Sequence, residues 1–410
     1  MSMHYDELET RDPEARKTAL FSAMPAHLAA AKKEAPYLAA LLAEIDVRSI
    51  TSRDALATLP VTRKSDLPEL QRQNMPFGGL TTVASGALAR LFFSPGPICD
   101  PEGRAADYWS TARVLFAAGF RRGDVVHNTF SYHLTPAGSM FETGAHALGC
   151  AVIPAGVGQT EMQLAAIGAF KPVGYVGTPS FLKVLIEKAD EMKADITSIR
   201  RAVVSGEAFL PPVRALLSAR GIDTFQAYGT ADLGMIAYES SAREGLIINE
   251  NLIVEIVRPG TGDAVPEGEV GEVVVTTFNR DYPLVRFATG DLSALMPGVS
   301  SCGRTNARIK GWMGRADQTT KVRGLFVHPH QIAEIVKRHP AIAKARLVVS
   351  HTDGNDVMCL RCECVAPLNE ENIAGSIRDV TKLRGVVEVI APGTLPNDGK
   401  VIDDLRIYGE

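Results

Sequence analysis

Three short stretches carry residue types that could handle a nucleotide. The string PLVRFATGDLSALMPG, from Pro283, places Asp291 after a Thr-Gly pair. A carboxylate at such a position can accept two hydroxyl hydrogen bonds, as a ribose diol requires, although a turn-capping aspartate looks the same in sequence. Further on, GRADQTTKVRG brings Arg315, Asp317, Lys321 and Arg323 close together. A charged, solvated linker has the same composition. Lys400 lies in the loop PGTLPNDGKV, where an isolated lysine is usually a solvated charge. In combination, an aspartate after Thr-Gly, a Gly-Arg-x-Asp turn and a late glycine-flanked lysine point to nucleotide chemistry and a mobile C-terminal piece.

The elements that must position these groups read as an α/β protein. Residues 1–75 are mainly helical in pattern, as in LFSAMPAHLAAAKKEAPYLAALLAEI. From about Gly123, candidate strands VVHNTF, CAVIPA, PVGYVGT and RAVVSGE alternate with candidate helices, which predicts a largely parallel sheet. A β-rich part spans 246–300, with strands expected at LIVEIV, GEVVVTTF and PLVRFA. A small α+β unit follows. The expected division is an N-terminal domain over 1–316 and a mobile C-terminal domain over 317–410.

Composition narrows the class. At 410 residues, with 46% hydrophobic and 22% charged residues, the chain has the make-up of a soluble globular protein. A net charge of −4 implies neither nucleic acid nor an anionic membrane as partner. The polar N-terminus lacks the apolar core of a secretory signal, and no apolar run approaches the ~18 residues of a membrane span. Six cysteines fit a cytoplasmic chain with reduced thiols. In DVMCLRCECVA, strand alternation places Cys362 and Cys364 on one face and Cys359 on the other, a poor metal cage. Cys302 alone makes a zinc site before the C-terminal part improbable. GVGQTE lacks the third glycine of a dinucleotide loop.

The three stretches, with LATLPVTRKSDL, GAHALGCAVIPAGVGQTEMQ, KPVGYVGTPSFL, PGTGDAVPEGEVGEVVVTTF and VRGLFVHPHQIAE, resemble the adenylate-forming (acyl-CoA synthetase) superfamily and, within it, the phenylacetate–CoA ligase family. The resemblance runs from roughly residue 35 to the C-terminus. It implies the adenylate-forming fold, a large α/β domain with a β-rich subdomain and a small mobile α+β domain. It also implies an ATP-dependent acid–CoA ligase acting on an aromatic or arylacetic acid through an acyl-adenylate. ATP or AMP, Mg²⁺ and coenzyme A would be its cofactors, a small carboxylic acid its partner, and a homodimer its assembly. By the same resemblance Asp291 would hold the ribose hydroxyls with Arg315 nearby, Asp317 would be the hinge, and Lys400 would serve adenylation. Arg286 matches a motif arginine without an assigned role.

AVVSGEAF matches the family's Gly-Ala-Glu region, so Ser205, Gly206 and Glu207 would edge the adenine and acyl sites. QAYGTADLG would set Tyr228 against the adenine beside Gly229, with Asp232 in place of the Mg²⁺-binding glutamate and Ala231 in place of a phosphate-contacting hydroxyl. Tyr132, His133 and Phe141 are candidates for the acyl pocket.

The phosphate loop departs from the family pattern Ser-Ser-Gly-Thr-Thr-Gly-x-Pro. Here residues 94–101 read SPGPICDP, keeping Ser94, Gly96 and Pro101. Both threonines are lost, two prolines remove N–H donors, and Asp100 adds negative charge. At about 1.5–3 kcal/mol per lost bond to a charged group, ATP binding would weaken greatly unless other groups compensate. Two alternatives follow: a non-catalytic AMP- or acyl-binding protein of this fold, or an enzyme that uses a preformed acyl-adenylate.

Overall fold

The structure, a computed structural model, describes residues 3–316, 318–323, 325–352 and 355–406. By contacts it divides into two compact units, one of residues 1–254, 275–287 and 296–312, the other of 255–274, 288–295 and 313–410.

In the first unit, strands Ala151–Pro154, Val125–Asn128, Gly174–Gly177, Arg201–Val204 and Asp223–Thr230 lie side by side in parallel, and Gly234–Glu239 continues the sheet antiparallel. Alternation along the strands builds a core on each face. Val126, Val176, Val203 and Phe225 pack with Phe130 and Phe141. Tyr175, Ala202 and Val204 pack on the other face with Leu182, Ile186 and Leu217. Burial on both faces is the condition under which parallel strands are stable. The covering helices are Ala137–Leu148, Thr160–Phe170, Pro179–Met192 and Pro211–Ala219, as the alternating pattern predicts. Helix Pro179–Met192 has proline in its first turn, and the Thr178 hydroxyl accepts from the Phe181 N–H at 3.3 Å.

In the second unit, strands Val386–Ile390, Asn355–Cys364, Ile342–Thr352 and Ile402–Asp404 form a sheet packed with helices Pro329–Arg338 and Glu370–Thr381. The alternation expected around the cysteines holds from Met358 to Cys362: Met358, Leu360 and Cys362 are buried, and Cys364 packs partly covered against the same core, while on the other face Cys359 is partly covered and Glu363 is buried. Among the described residues, no helix is long and apolar enough to cross a membrane.

One expectation fails. The first four residues of PLVRFA are not in a strand; pairing starts at Phe287 and runs to Ser293, so Asp291 lies within a strand. Arg286 explains the offset. Its backbone is left-handed, with φ 45°, which interrupts extended structure just before Phe287. Its side chain is 1% exposed and donates to the carbonyls of Ala57 at 2.7 Å and Leu59 at 2.6 Å, while its own carbonyl accepts from the Thr62 N–H at 3.2 Å. The motif arginine thus fastens the N-terminal segment LATLPVT. Arg286→Met should cost about 3 kcal/mol or more, since it strands two carbonyls that the guanidinium now satisfies. Urea unfolding measures this, and an unchanged midpoint would refute the anchoring role.

Candidate active site

The segment aligned with the phosphate loop is a β-hairpin. Strand Arg90–Ser94 pairs antiparallel with Ile98–Glu102, in register Ser94 to Ile98 and Phe92 to Asp100. Of the turn residues Pro95, Gly96 and Pro97, Gly96 alone carries an N–H. The Ser94 hydroxyl is turned to the Ile98 carbonyl at 3.3 Å. On the outer edge, the Gln71 side chain mimics a neighbouring strand: it accepts from the Cys99 N–H at 2.7 Å and donates to the Cys99 carbonyl at 2.9 Å. The loop is therefore short, doubly tethered and poor in donors.

Behind it lies a buried charge cluster that the sequence reading did not assemble. Asp232 sits in the turn between strands Asp223–Thr230 and Gly234–Glu239, and its Oδ2 accepts from Lys64 Nζ at 2.6 Å. Its Oδ1 has no hydrogen-bond partner, and neither carboxylate oxygen of the fully buried Asp100 receives a well-formed hydrogen bond. Burial, with the neighbouring Asp232 charge, pushes the Asp100 carboxyl up to about 7; the Ser94 hydroxyl and Lys64 pull the other way. The Tyr282 hydroxyl is also buried without a partner, and its pKa is raised by burial first and then by Asp232 and Asp100.

Of the other expected residues of this unit, Tyr132, His133 and Ser205 to Glu207 occupy loops after parallel strands, Tyr228 and Gly229 lie at the end of strand Asp223–Thr230, and Phe141 lies in helix Ala137–Leu148. Ser205 follows strand Arg201–Val204, and its N–H donates to the Gly177 carbonyl at 3.2 Å. Gly206 is exposed with φ +85°, and Glu207 Oε1 accepts from the Ser180 N–H at 2.7 Å, at the start of helix Pro179–Met192. Tyr228 is 8% exposed, at a register shift between Tyr228 and Gly229. Phe141 is buried and stacked on Phe130 with centroids 4.8 Å apart. Tyr132 accepts from Asn128 Nδ2 at 2.8 Å, and its ring lies over Gly138, where a Cβ would come within 2.9 Å. Burial and then Glu142 raise its phenol pKa. His133 is exposed beside Tyr132, and only its backbone N–H is engaged, by the Ser131 hydroxyl at 3.2 Å.

In the second unit, Asp291 and Arg315 are brought together. Arg315 Nη1 donates to Asp291 Oδ1 at 2.9 Å, and the two residues form an isolated antiparallel bridge. Gly290, φ +74°, makes this approach geometrically feasible, because a Cβ there would sit 2.6 Å from an Arg315 nitrogen. The Lys400 ammonium donates to Asp403 at 2.9 Å. Its loop is tied down by Gln318, whose Oε1 accepts from the N–H groups of Val401 at 2.5 Å and Ile402 at 2.9 Å, and whose Nε2 donates to the Gly399 carbonyl at 3.2 Å. Asp317, the expected hinge, lies outside the described residues. Gln318 beside it was not singled out, because a lone glutamine carries no motif.

The residues present fit a magnesium ion. Asp232 offers a buried carboxylate oxygen without a partner, and oxygen ligands suit a hard cation. Among the described residues no group of three or more histidine, cysteine or acidic side chains could hold a metal, so phosphate and water would complete the shell, as Mg²⁺ commonly requires.

A family profile described as AMP-binding enzyme matches residues 105–279. Phenylacetate-coenzyme A ligase of Aromatoleum evansii is 33% identical over 334 residues, covering 78% of this chain and 73% of that protein. The protein of the same name from Thermus thermophilus is 30% identical over 389 residues, covering 90% and 86%. Among solved structures, 2-hydroxyisobutyryl-CoA ligase in the postadenylation state superposes with a TM-score of 0.74 over 98% of this chain and 92% of that one; at 23% identity it speaks for the fold. The chain belongs to the phenylacetate–CoA ligase family and has the adenylate-forming fold.

Proposed function

We propose that this chain is an ATP-dependent ligase that joins a small carboxylic acid, aromatic or arylacetic in class, to coenzyme A through an acyl-adenylate. Family membership is the observation that carries this reading. In the first half-reaction a carboxylate oxygen attacks the α-phosphorus and pyrophosphate leaves. In the second, the thiol sulfur of coenzyme A attacks the acyl carbonyl, the thiol proton is lost, and AMP leaves.

Each residue then has a task. Asp291, oriented by Arg315, accepts the ribose hydroxyls; Tyr228 lies against the adenine with Gly229, Ser205, Gly206 and Glu207 edging the site. Phe141 backs the acyl pocket through Phe130, and Tyr132 and His133 border it. Ser94 and Gly96 are what the loop retains for phosphate. Asp232 would hold Mg²⁺, which when bound offsets phosphate charge. Lys400 would place its ammonium between carboxylate and α-phosphate, where negative charge accumulates. Its pairing with Asp403 is half exposed, worth at most about 1 kcal/mol, and so is readily given up. Residues 317–410 would turn about Asp317 between the half-reactions. A homodimer is the assembly proposed.

The hairpin, with its two prolines and buried Asp100, favours a second reading in which triphosphate chemistry is lost. Carboxylate-dependent exchange of pyrophosphate into ATP separates the two: exchange excludes a purely binding protein. Thioester formation from a synthetic acyl-adenylate, without any from ATP, would instead favour use of a preformed adenylate.

Lys400→Ala should lower pyrophosphate exchange about 100-fold or more while sparing thioester formation from supplied acyl-adenylate. Full activity of that variant from ATP would remove Lys400 from the mechanism. Gln318→Ala should speed amide hydrogen exchange at Val401 and Ile402, which lose their shared acceptor. Unaltered exchange there would show that Gln318 does not hold the Lys400 loop.

A further inference from the structure

The phosphate loop of this chain poses a charge problem. Asp100 stands where a triphosphate is expected to approach, fully buried and with both oxygens lacking a well-formed hydrogen bond. Asp232, 5% exposed, keeps one oxygen without a partner. Lys64 is the cation paired with the cluster, and its ammonium contacts Asp232. Two buried carboxylates against one ammonium leave one negative charge that low-dielectric surroundings do not tolerate unbalanced.

Tyr282, 1% exposed, packs in one apolar cluster with Ile98, which shares its strand with Asp100, and with Leu233, the neighbour of Asp232; it ends in a hydroxyl without a partner. A buried phenol without a partner at a pair of carboxylates leaves a neutral oxygen free to complete an oxygen-lined cradle.

We propose that Asp100 and Asp232 together ligate one divalent cation of the Mg²⁺ or Mn²⁺ class, with the Tyr282 hydroxyl at its margin. The proposal rests on the reading of Asp232 as a metal carboxylate and adds Asp100 as this chain's own second ligand. Oxygen-only donors exclude a preference for soft metals, and two carboxylates plus water and phosphate are a usual complement for Mg²⁺. On this arrangement Asp100 does not repel the triphosphate. It holds the cation that the phosphates also bind, so a loop stripped of hydroxyls and N–H groups meets its ligand through metal. Two protein carboxylates also make the ion less dependent on nucleotide, so part of the site's affinity for metal exists in the nucleotide-free chain.

The test is a Mn²⁺ titration of the nucleotide-free full chain, with free Mn²⁺ followed by its electron paramagnetic resonance signal. One ion per chain is expected. Asp100→Asn, nearly isosteric, and Asp232→Asn should each weaken binding at least about tenfold, and circular dichroism melting verifies that both variants are folded. Mn²⁺ binding by Asp100→Asn equal to that of the natural sequence overturns the proposal. So does binding that appears only with ATP and is then insensitive to Asp100. Because the readout is metal binding, it is independent of turnover. Asp100-dependent Mn²⁺ binding without pyrophosphate exchange would sink the ligase reading and keep the site; exchange without Asp100-dependent binding would do the reverse.

Discussion

Parallel pairing imposes a single direction on the first unit. Strands Val125–Asn128, Gly174–Gly177, Arg201–Val204 and Asp223–Thr230 all run the same way, so their carboxyl ends lie along one edge of the sheet. Loops that leave from that edge are brought together without any contact designed for the purpose. This is why Tyr132, Ser205 to Glu207 and Tyr228 to Asp232, distant in sequence, belong to one rim. Each departs from a strand whose register is locked by apolar burial on both faces, where a slip by one residue would invert the core.

Ion pairs play different parts in the two units. The Arg315 side chain is 52% exposed and Asp291 11%, so their contact adds little to stability and mainly sets the direction of the carboxylate. Lys64 and Asp232 are the opposite case: the Asp232 side chain is fully covered, and losing Lys64 would leave its charge buried without a partner. The first arrangement can be remade around a ligand. The second must be compensated before it is disturbed, and a bound cation is one such compensation.

Much of this was legible in the sequence, for physical reasons. Strands such as RAVVSGE are β-branched runs ended by glycine, and the alternation in DVMCLRCECV survives folding because one face must be buried. Asp291, Arg315 and Lys400 were legible as motifs. The misplacement of the strand at PLVRFA came from treating an apolar run as extended, when Arg286 takes a left-handed backbone and turns inward to carbonyls 227 and 229 residues away. The hairpin from Arg90 to Glu102 was not read as strands because prolines at 95, 97 and 101 disguise it; a paired two-stranded ribbon tolerates them where a central strand would not. Lys64, Asp100, Asp232 and Tyr282 obey no spacing rule, since separate elements deliver them. The sequence marked Asp100 as anomalous but could not say what stood beside it.

Gln318 has a mechanical implication. Lys400 is fixed from several sides: by Gln318, by Asn397 Oδ1 accepting from the Val270 N–H at 3.0 Å, and by strand Ile402–Asp404 lying parallel to Leu347–Val349. The turn at 391–394 is exposed, and the chain leaving it is tied as well, by the Leu395 N–H donating to the buried Glu363 at 2.6 Å. The lysine is thus carried by the body of its unit as a mounted part, not trailed on a tether.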